Sequence, residues 1–214
     1  MILSPGLQFY DITMNLHSQF PVWPGDSPGF IEKTSSLKKG HIYTSSNIRS
    51  SLHWGTHIDA PYHLYENNWT VDQIPLDALI GEAQVIEIPR LKRITAAQLE
   101  KYNIRPKNRV LFKTRNSNFW NHSYSFRKDF TALTPDAAKI LVALEIKLVG
   151  IDYFSLDLYD AQELPVHRIL YQKNIVGLEL LDLRNVEAGN YHLICLPMKI
   201  RDGDGAPARV LLVK

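Results

Sequence analysis

Residues 134–152, "TPDAAKILVALEIKLVGID", limit the possible folds more than any other stretch of the 214-residue chain. Thr134 stands where an N-cap would, Pro135 at the first helical position and Asp136 in the first turn. All three suit the free N–H groups and the positive end of a helix start. Apolar residues then recur at helical spacing, so residues 134–144 read as a helix. "KLVGID" (147–152) follows at once and reads as a buried strand. A helix returning onto a buried strand belongs to a layered α/β fold, and the remaining elements must be built around it.

Further strands are expected over residues 8–14, 41–53, 82–88, 109–114, 175–181, 191–200 and 208–214. "TAAQLEKY" (95–102) opens with a Thr-x-x-Gln capping box and reads as a short helix, as does 166–174. Residues 19–26 hold two prolines and a glycine and must form a structured loop. Strands outnumber helices, and the helices fall between strands in the second half. The expectation is one α/β domain over residues 1–214, a mixed sheet core with flanking helices rather than a doubly wound sheet. Apolar residues form 45% of the chain and charged ones 21%, enough for a sizeable core. The net charge of +2, without a Lys/Arg block, argues against nucleic-acid or membrane-surface partners. No apolar run approaches the roughly 20 residues that span a bilayer, and the start lacks the pattern of a signal peptide. A cytoplasmic setting is expected. Cys195, the single cysteine, lies in the apolar run "YHLICLPM" and reads as a buried strand residue. No glycine-rich phosphate loop follows a strand, which argues against nucleotide binding.

The chemistry gathers in "SLHWGTHIDAPYH" (51–63), where His53, His57, Asp59 and His63 follow an H-x3-H-x-D-x3-H spacing. Gly55 and Pro61 argue against a regular helix there. A glycine-containing loop can instead fold back and aim several side chains at one point. His57 and Asp59, two apart, would share one side of an extended segment. Histidines often serve as hydrogen-bonded structural residues, but three of them with an aspartate in eleven residues are better explained by a metal. Imidazole and carboxylate together suit Zn²⁺, Mn²⁺ or Fe²⁺ rather than Ca²⁺ or Mg²⁺. With no clustered cysteines, a catalytic site is favoured over a structural zinc site.

"HWGTHIDAPYH" resembles the H-x-G-T-H-x-D-x-P-x-H signature of the cyclase-like metal hydrolase family, which includes the bacterial kynurenine formamidases. Similar stretches run along nearly the whole chain: "YDITMNL", "FPVWPGD", "TVDQIPLDALIG", "LTPDAAKILVALEIKLVGIDYFSLD", "LPVHRILYQKNIVGLELLDL" and "LPMKIRDGDGAPARVLL". The resemblance implies that His53, His57 and Asp59 bind metal, with Asp59 bridging two ions, and that His63 is the proton donor and acceptor. It also implies that His167 and Glu179 complete the centre. From the residues alone His167 reads as a surface helix residue and Glu179 as a strand-edge charge. A glutamate inside "IVGLELLDL" is costly without a partner, and a metal dication would supply one. Trp23 matches an aromatic lining the family's substrate pocket, although packing under its proline-rich loop would explain it equally. His17, His41, His122 and His192 match no ligand position. Residues 119–130 are aromatic-rich and read either as a lid or as a loop packed on the surface.

The implied activity is metal-dependent hydrolysis of N-formyl-L-kynurenine or a related N-formyl arylamine, with two Zn²⁺ ions or Mn²⁺ as cofactor. Cyclic amides such as isatin, lactams or esters are the alternative substrates, and a non-catalytic binding protein is the third reading. The implied fold is a swivelling β/β/α architecture. The implied partners are a small-molecule substrate and further copies of the chain, as a homodimer or homotetramer.

Overall fold

The structure is a computed structural model that describes residues 6–121 and 125–214. Among the described residues there are twelve strands: β1 (Phe9–Asp11), β2 (Phe30–Ser35), β3 (Ser45–Arg49), β4 (His57–Asp59), β5 (Ile80–Ile88), β6 (Arg93–Ile94), β7 (Arg109–Thr114), β8 (Ala132–Leu133), β9 (Leu148–Ile151), β10 (Val176–Glu179), β11 (Gly189–Pro197) and β12 (Gly205–Val213). Four α-helices join them: α1 (Leu76–Leu79), α2 (Ala96–Leu99), α3 (Pro135–Ala143) and α4 (Pro165–Tyr171).

The main sheet runs β1-β12-β11-β5-β7-β9-β10-β4, and β4 also pairs with β12. Seven strands therefore close into a barrel, with β1 laid along the free part of β12. β5, β7, β9 and β10 are parallel, while β4, β11 and β12 join antiparallel, so the sheet is mixed as expected. Closure leaves few unpaired edges.

The apolar residues sort onto the two faces of this sheet. Along β7, Val110 and Phe112 pack with the helical side, where Ala137 and Leu141 of α3 and Leu170 of α4 are fully buried. Leu111 between them joins a second core with Ile58, Leu148, Leu178, Leu193 and Val210. This is the period-two alternation of a strand with both faces covered. Cys195 lies fully buried on β11, within the second core. Arg109, at the start of β7, donates through Nε to Ala78 O (2.9 Å), through Nη1 to Glu82 O (3.0 Å) and through Nη2 to Ile80 O (2.6 Å) and Asp77 O. It thereby ties α1 to the start of β5. Gly81 is required beside it, since a Cβ there would stand 2.7 Å from Arg109 Nη1 with φ at +141°.

Three local expectations change. The capping box at Thr95 does not form: the Gln98 N–H bonds the Thr95 carbonyl at 3.0 Å and not its hydroxyl, while Asp136 Oδ2 of α3 takes the free Ala96 N–H at 2.8 Å, and the helix spans only Ala96–Leu99. Thr134 likewise turns its hydroxyl to Ile94 O at 3.0 Å instead of capping α3. The strand expected over 41–53 is confined to β3, which pairs with β2 in a separate two-stranded ribbon. Among the described residues no helix is long and apolar enough to cross a membrane.

Candidate metal centre

The Gly55 turn starts the site. Gly55 has φ +74°, and a Cβ there would lie 2.2 Å from the Leu16 side chain, so only glycine lets the chain double back between His53 and β4. β4 then runs buried through His57, Ile58 and Asp59. Ile58 points into the barrel core, while His57 and Asp59 share the other side. The register across β10 sets His57 opposite Glu179 and Asp59 opposite Gly177.

α4 brings the distant histidine. Pro165 suits its first turn, and Leu164 precedes it in the left-handed region at φ 51°. The N-cap side chain does no capping there. Asp157 does it instead, accepting the N–H groups of Val166 (2.9 Å) and His167 (3.0 Å). The same carboxylate accepts from His167 Nδ1 at 2.5 Å, which fixes the tautomer and turns Nε2 inward. His57 is fixed in the same way, its Nδ1–H donating to Gly55 O at 2.8 Å.

The inward atoms converge on Asp59. Its Oδ1 lies 2.7 Å from His53 Nδ1 and 3.1 Å from His57 Nε2. Its Oδ2 lies 3.7 Å from His167 Nε2 and accepts from the Tyr171 hydroxyl at 2.8 Å. Glu179 Oε1 is 3.0 Å from His167 Nε2 and accepts from the Leu156 N–H at 2.8 Å, while Oε2 is 3.7 Å from His57 Nε2. Two ligand groups result, His53–His57–Asp59 and Asp59–His167–Glu179, sharing Asp59. His167 and Glu179 are each 4% exposed, so the surface-helix and strand-edge readings of these residues are wrong. Their partners are distant in sequence, which is why local pattern could not find them.

A third group, His53–His63–Asp204, adjoins these. His53 Nε2 lies 2.7 Å from Asp204 Oδ2, and His63 Nδ1 is 3.4 Å from the same oxygen. The His53 and His63 rings are 4.5 Å apart. His17, His41 and His192 belong to none of the three groups, and His122 lies outside the described residues.

The electrostatics favour a bound cation. Among the described residues every ion-pair partner of Asp59 and Glu179 is a histidine. Burial opposes a charge on Asp59, yet His53 and His57 hold it well below the usual carboxylate range. Burial works against charge on His53 too, but Asp59 and Asp204 outweigh it and push the imidazolium up to about 11. His167 is pushed up to about 10 by its bonds to Asp157 and Glu179, again against burial. Burial and the Asp59 charge push the Tyr171 phenol well above its ordinary range, so it stays a donor. Hydrogen bonds from His53 and His63 hold Asp204 well below the usual carboxylate range. Protons on imidazoles thus balance buried carboxylates, and a divalent ion would displace them. Nitrogen and oxygen donors in these groups fit Zn²⁺ or Mn²⁺.

His53, His57, Asp59, His63, His167, Glu179, Trp23 and Phe154 line one pocket of about 260 Å³, with Asp26 and Ser155 beside them. Trp23 packs with Phe126 (5.3 Å between centroids) and Tyr159 (5.5 Å), so it is both a loop anchor and a pocket wall. Residues 119–130 pass through 122–124, outside the described residues; on the described flanks Phe126 packs on Trp23 and Phe154. Asp157, Tyr171 and Asp204 escaped the sequence reading. Asp204 had a visible signal in the glycine-flanked "DGDGAP", and Tyr171 in its four-residue spacing from His167.

The family model described as "Putative cyclase" matches residues 10–158. The chain belongs to the cyclase family. Within it, Cyclase-like protein 1 of Arabidopsis thaliana is 35% identical, over 98% of this chain and 86% of that protein. The kynurenine formamidase of Bacillus thuringiensis subsp. konkukian (strain 97-27) is 32% identical, over 96% of this chain and 97% of that one. Among solved structures, isatin hydrolase A from Labrenzia aggregata, bound to benzyl benzoate, superposes with a TM-score of 0.85 at 26% identity, covering 97% and 93% of the two chains. The cyclase-family fold is therefore the barrel described above.

Proposed function

We propose that the protein is a metal-dependent amidase that hydrolyses the formamide of N-formyl-L-kynurenine, or a related N-formyl arylamine, to formate and the free amine. The observation that carries this reading is the pair of ligand groups sharing Asp59, with His63 and Trp23 on the same pocket. His53, His57 and Asp59 would hold one ion, and Asp59, His167 and Glu179 the other. A Zn²⁺ or Mn²⁺ pair supplies hydroxide near neutral pH and Lewis acidity toward the carbonyl. His63 gives a proton to the leaving nitrogen, a task suited to imidazole. Asp204, 3.4 Å from His63 Nδ1, orients that ring and leaves its other nitrogen for the transfer. The aryl ring stacks on Trp23. Asp26, which lines the same pocket, would offer a carboxylate to the ammonium of an amino-acid substrate such as formylkynurenine.

Chelation should abolish turnover of N-formyl-L-kynurenine, and Zn²⁺ or Mn²⁺ should restore it. His63→Ala should keep its metal and lose turnover. Full activity in a metal-stripped sample, or a His63→Ala protein devoid of metal, overturns the assignment. The likeness to isatin hydrolase A supports a second reading, opening of a cyclic amide on the same centre. Parallel assays with formylkynurenine and isatin separate the two. We also propose a homodimer or homotetramer: Phe30, Ile42 and Ile48 of the ribbon and its connecting loop are 55%, 90% and 60% exposed. Light scattering on the purified protein tests this, and a monomer refutes it.

A further inference from the structure

Tyr171 has no part in the residues assigned so far, yet its hydroxyl is built into them. The side chain is fully buried and one turn beyond His167 on α4, with the two rings edge to face at 5.3 Å. Its hydroxyl donates to Asp59 Oδ2 at 2.8 Å. The sheet makes room for it. Gly177 stands opposite Asp59 in the β4–β10 register, and a Cβ there would lie 2.2 Å from the Tyr171 oxygen. Any larger residue at 177 would displace the phenol.

The two oxygens of Asp59 are held differently. Oδ1 has two imidazoles within 3.1 Å, His53 and His57. Oδ2 has Tyr171 at hydrogen-bond distance, with His167 Nε2 farther away at 3.7 Å. The orientation of Oδ2 therefore depends on the phenol, which bulk water cannot replace at a buried position. We propose that Tyr171 is a positioning residue that fixes Oδ2 of Asp59 for the ion shared with His167 and Glu179, making that ion the one that depends on the hydroxyl. This rests on the two-ion reading above. Groups that orient a ligand carboxylate typically change metal affinity by about 10- to 100-fold.

The test is Tyr171→Phe, which deletes one oxygen and keeps the ring packing. Metal-stripped parent and variant are titrated with Zn²⁺ by calorimetry and chelator competition, and with Co²⁺ by visible absorption. The parent should take up two ions per chain. The variant should bind the first within about threefold of the parent and the second about 10- to 100-fold more weakly. Only the spectrum of the second Co²⁺ equivalent should change. Equal retention of both ions overturns the proposal, and so does equal weakening of both, which would mark a merely structural role. A parent that takes up a single ion overturns the two-ion reading and this inference with it. A two-ion parent with an unaltered variant overturns this inference alone.

Discussion

Asp157 is the most informative place to perturb the protein, because one buried carboxylate serves both helix and histidine. It is 1% exposed and accepts the Val166 N–H, the His167 N–H and the His167 Nδ1–H. In Asp157→Asn one oxygen becomes an NH₂ group facing donors. The variant loses a helix cap, about 1 kcal/mol, and a hydrogen bond between charged partners, about 1.5–3 kcal/mol. The metal-free protein should therefore be less stable by about 3 kcal/mol. With a urea slope of about 1–3 kcal/mol/M, the unfolding midpoint should fall by about 1–3 M. Zn²⁺ affinity should fall about 10- to 100-fold, since His167 is no longer aimed. Urea unfolding followed by circular dichroism at pH 7, with Zn²⁺ titration of the same samples, gives both numbers. A midpoint within about 0.5 M of the parent and unchanged Zn²⁺ affinity would show that His167 is oriented by something other than Asp157.

Metal-free protein should lose stability in alkali. His53 and His167 are raised to about 11 and about 10 from an ordinary 6.5, so their contribution is complete below about pH 6.5 and lost as pH rises through those values. Asp59 is lowered, so its contribution is present above about pH 4 and disappears as pH falls further. Urea midpoints that rise between about pH 8 and 11 would contradict this. Zn²⁺ uptake at pH 7 should release protons from these imidazoles, and calorimetry in buffers of different ionisation heat should detect it; no release refutes the charge state. Arg109→Met should cost about 3–5 kcal/mol by leaving buried carbonyls unpaired, without changing Zn²⁺ stoichiometry. A loss under about 1 kcal/mol in urea unfolding would show that water replaces the guanidinium.

The sequence revealed what is decided locally. Pro135, Asp136 and the apolar spacing after them fix α3 from within one helix, and β9 follows from its continuous apolar run. The box at Thr95 misled because the Gln98 N–H bonds the Thr95 carbonyl, and the cap of this helix, Asp136 on the Ala96 N–H, comes from 40 residues away. Strand β2 escaped because four of its six residues are exposed and none is buried, so it has no buried face to register. The ligand cluster at 53–63 was legible because its chemistry is dense in sequence. His167 and Glu179 needed a family resemblance, since His167 stands next to Arg168 as on a surface helix and Glu179 is a lone charge between Leu178 and Leu180. Asp157 and Asp204 act on atoms 10 and 151 residues away, and no local periodicity encodes that.

Barrel closure and site assembly are one event, and β4 is where they meet. Three residues long, it bonds β10 on one side and β12 on the other. The first pairing sets His57 against Glu179; the second sets Asp59 opposite Gly205, next to Asp204. A slip of one residue would send His57 and Asp59 into the apolar core and bring Ile58 to the pocket. Ile58 is fully buried in that core, so the slip is opposed by packing on one face and by buried charge on the other. Gly205 has no room for a side chain, since a Cβ would lie 2.7 Å from Ile58 O and 2.9 Å from the His53 ring. The short strand is thus held in register from both edges. An ion bridging Asp59 to His167 and Glu179 would add a further tie across the β4–β10 seam, so metal and barrel should stabilise each other.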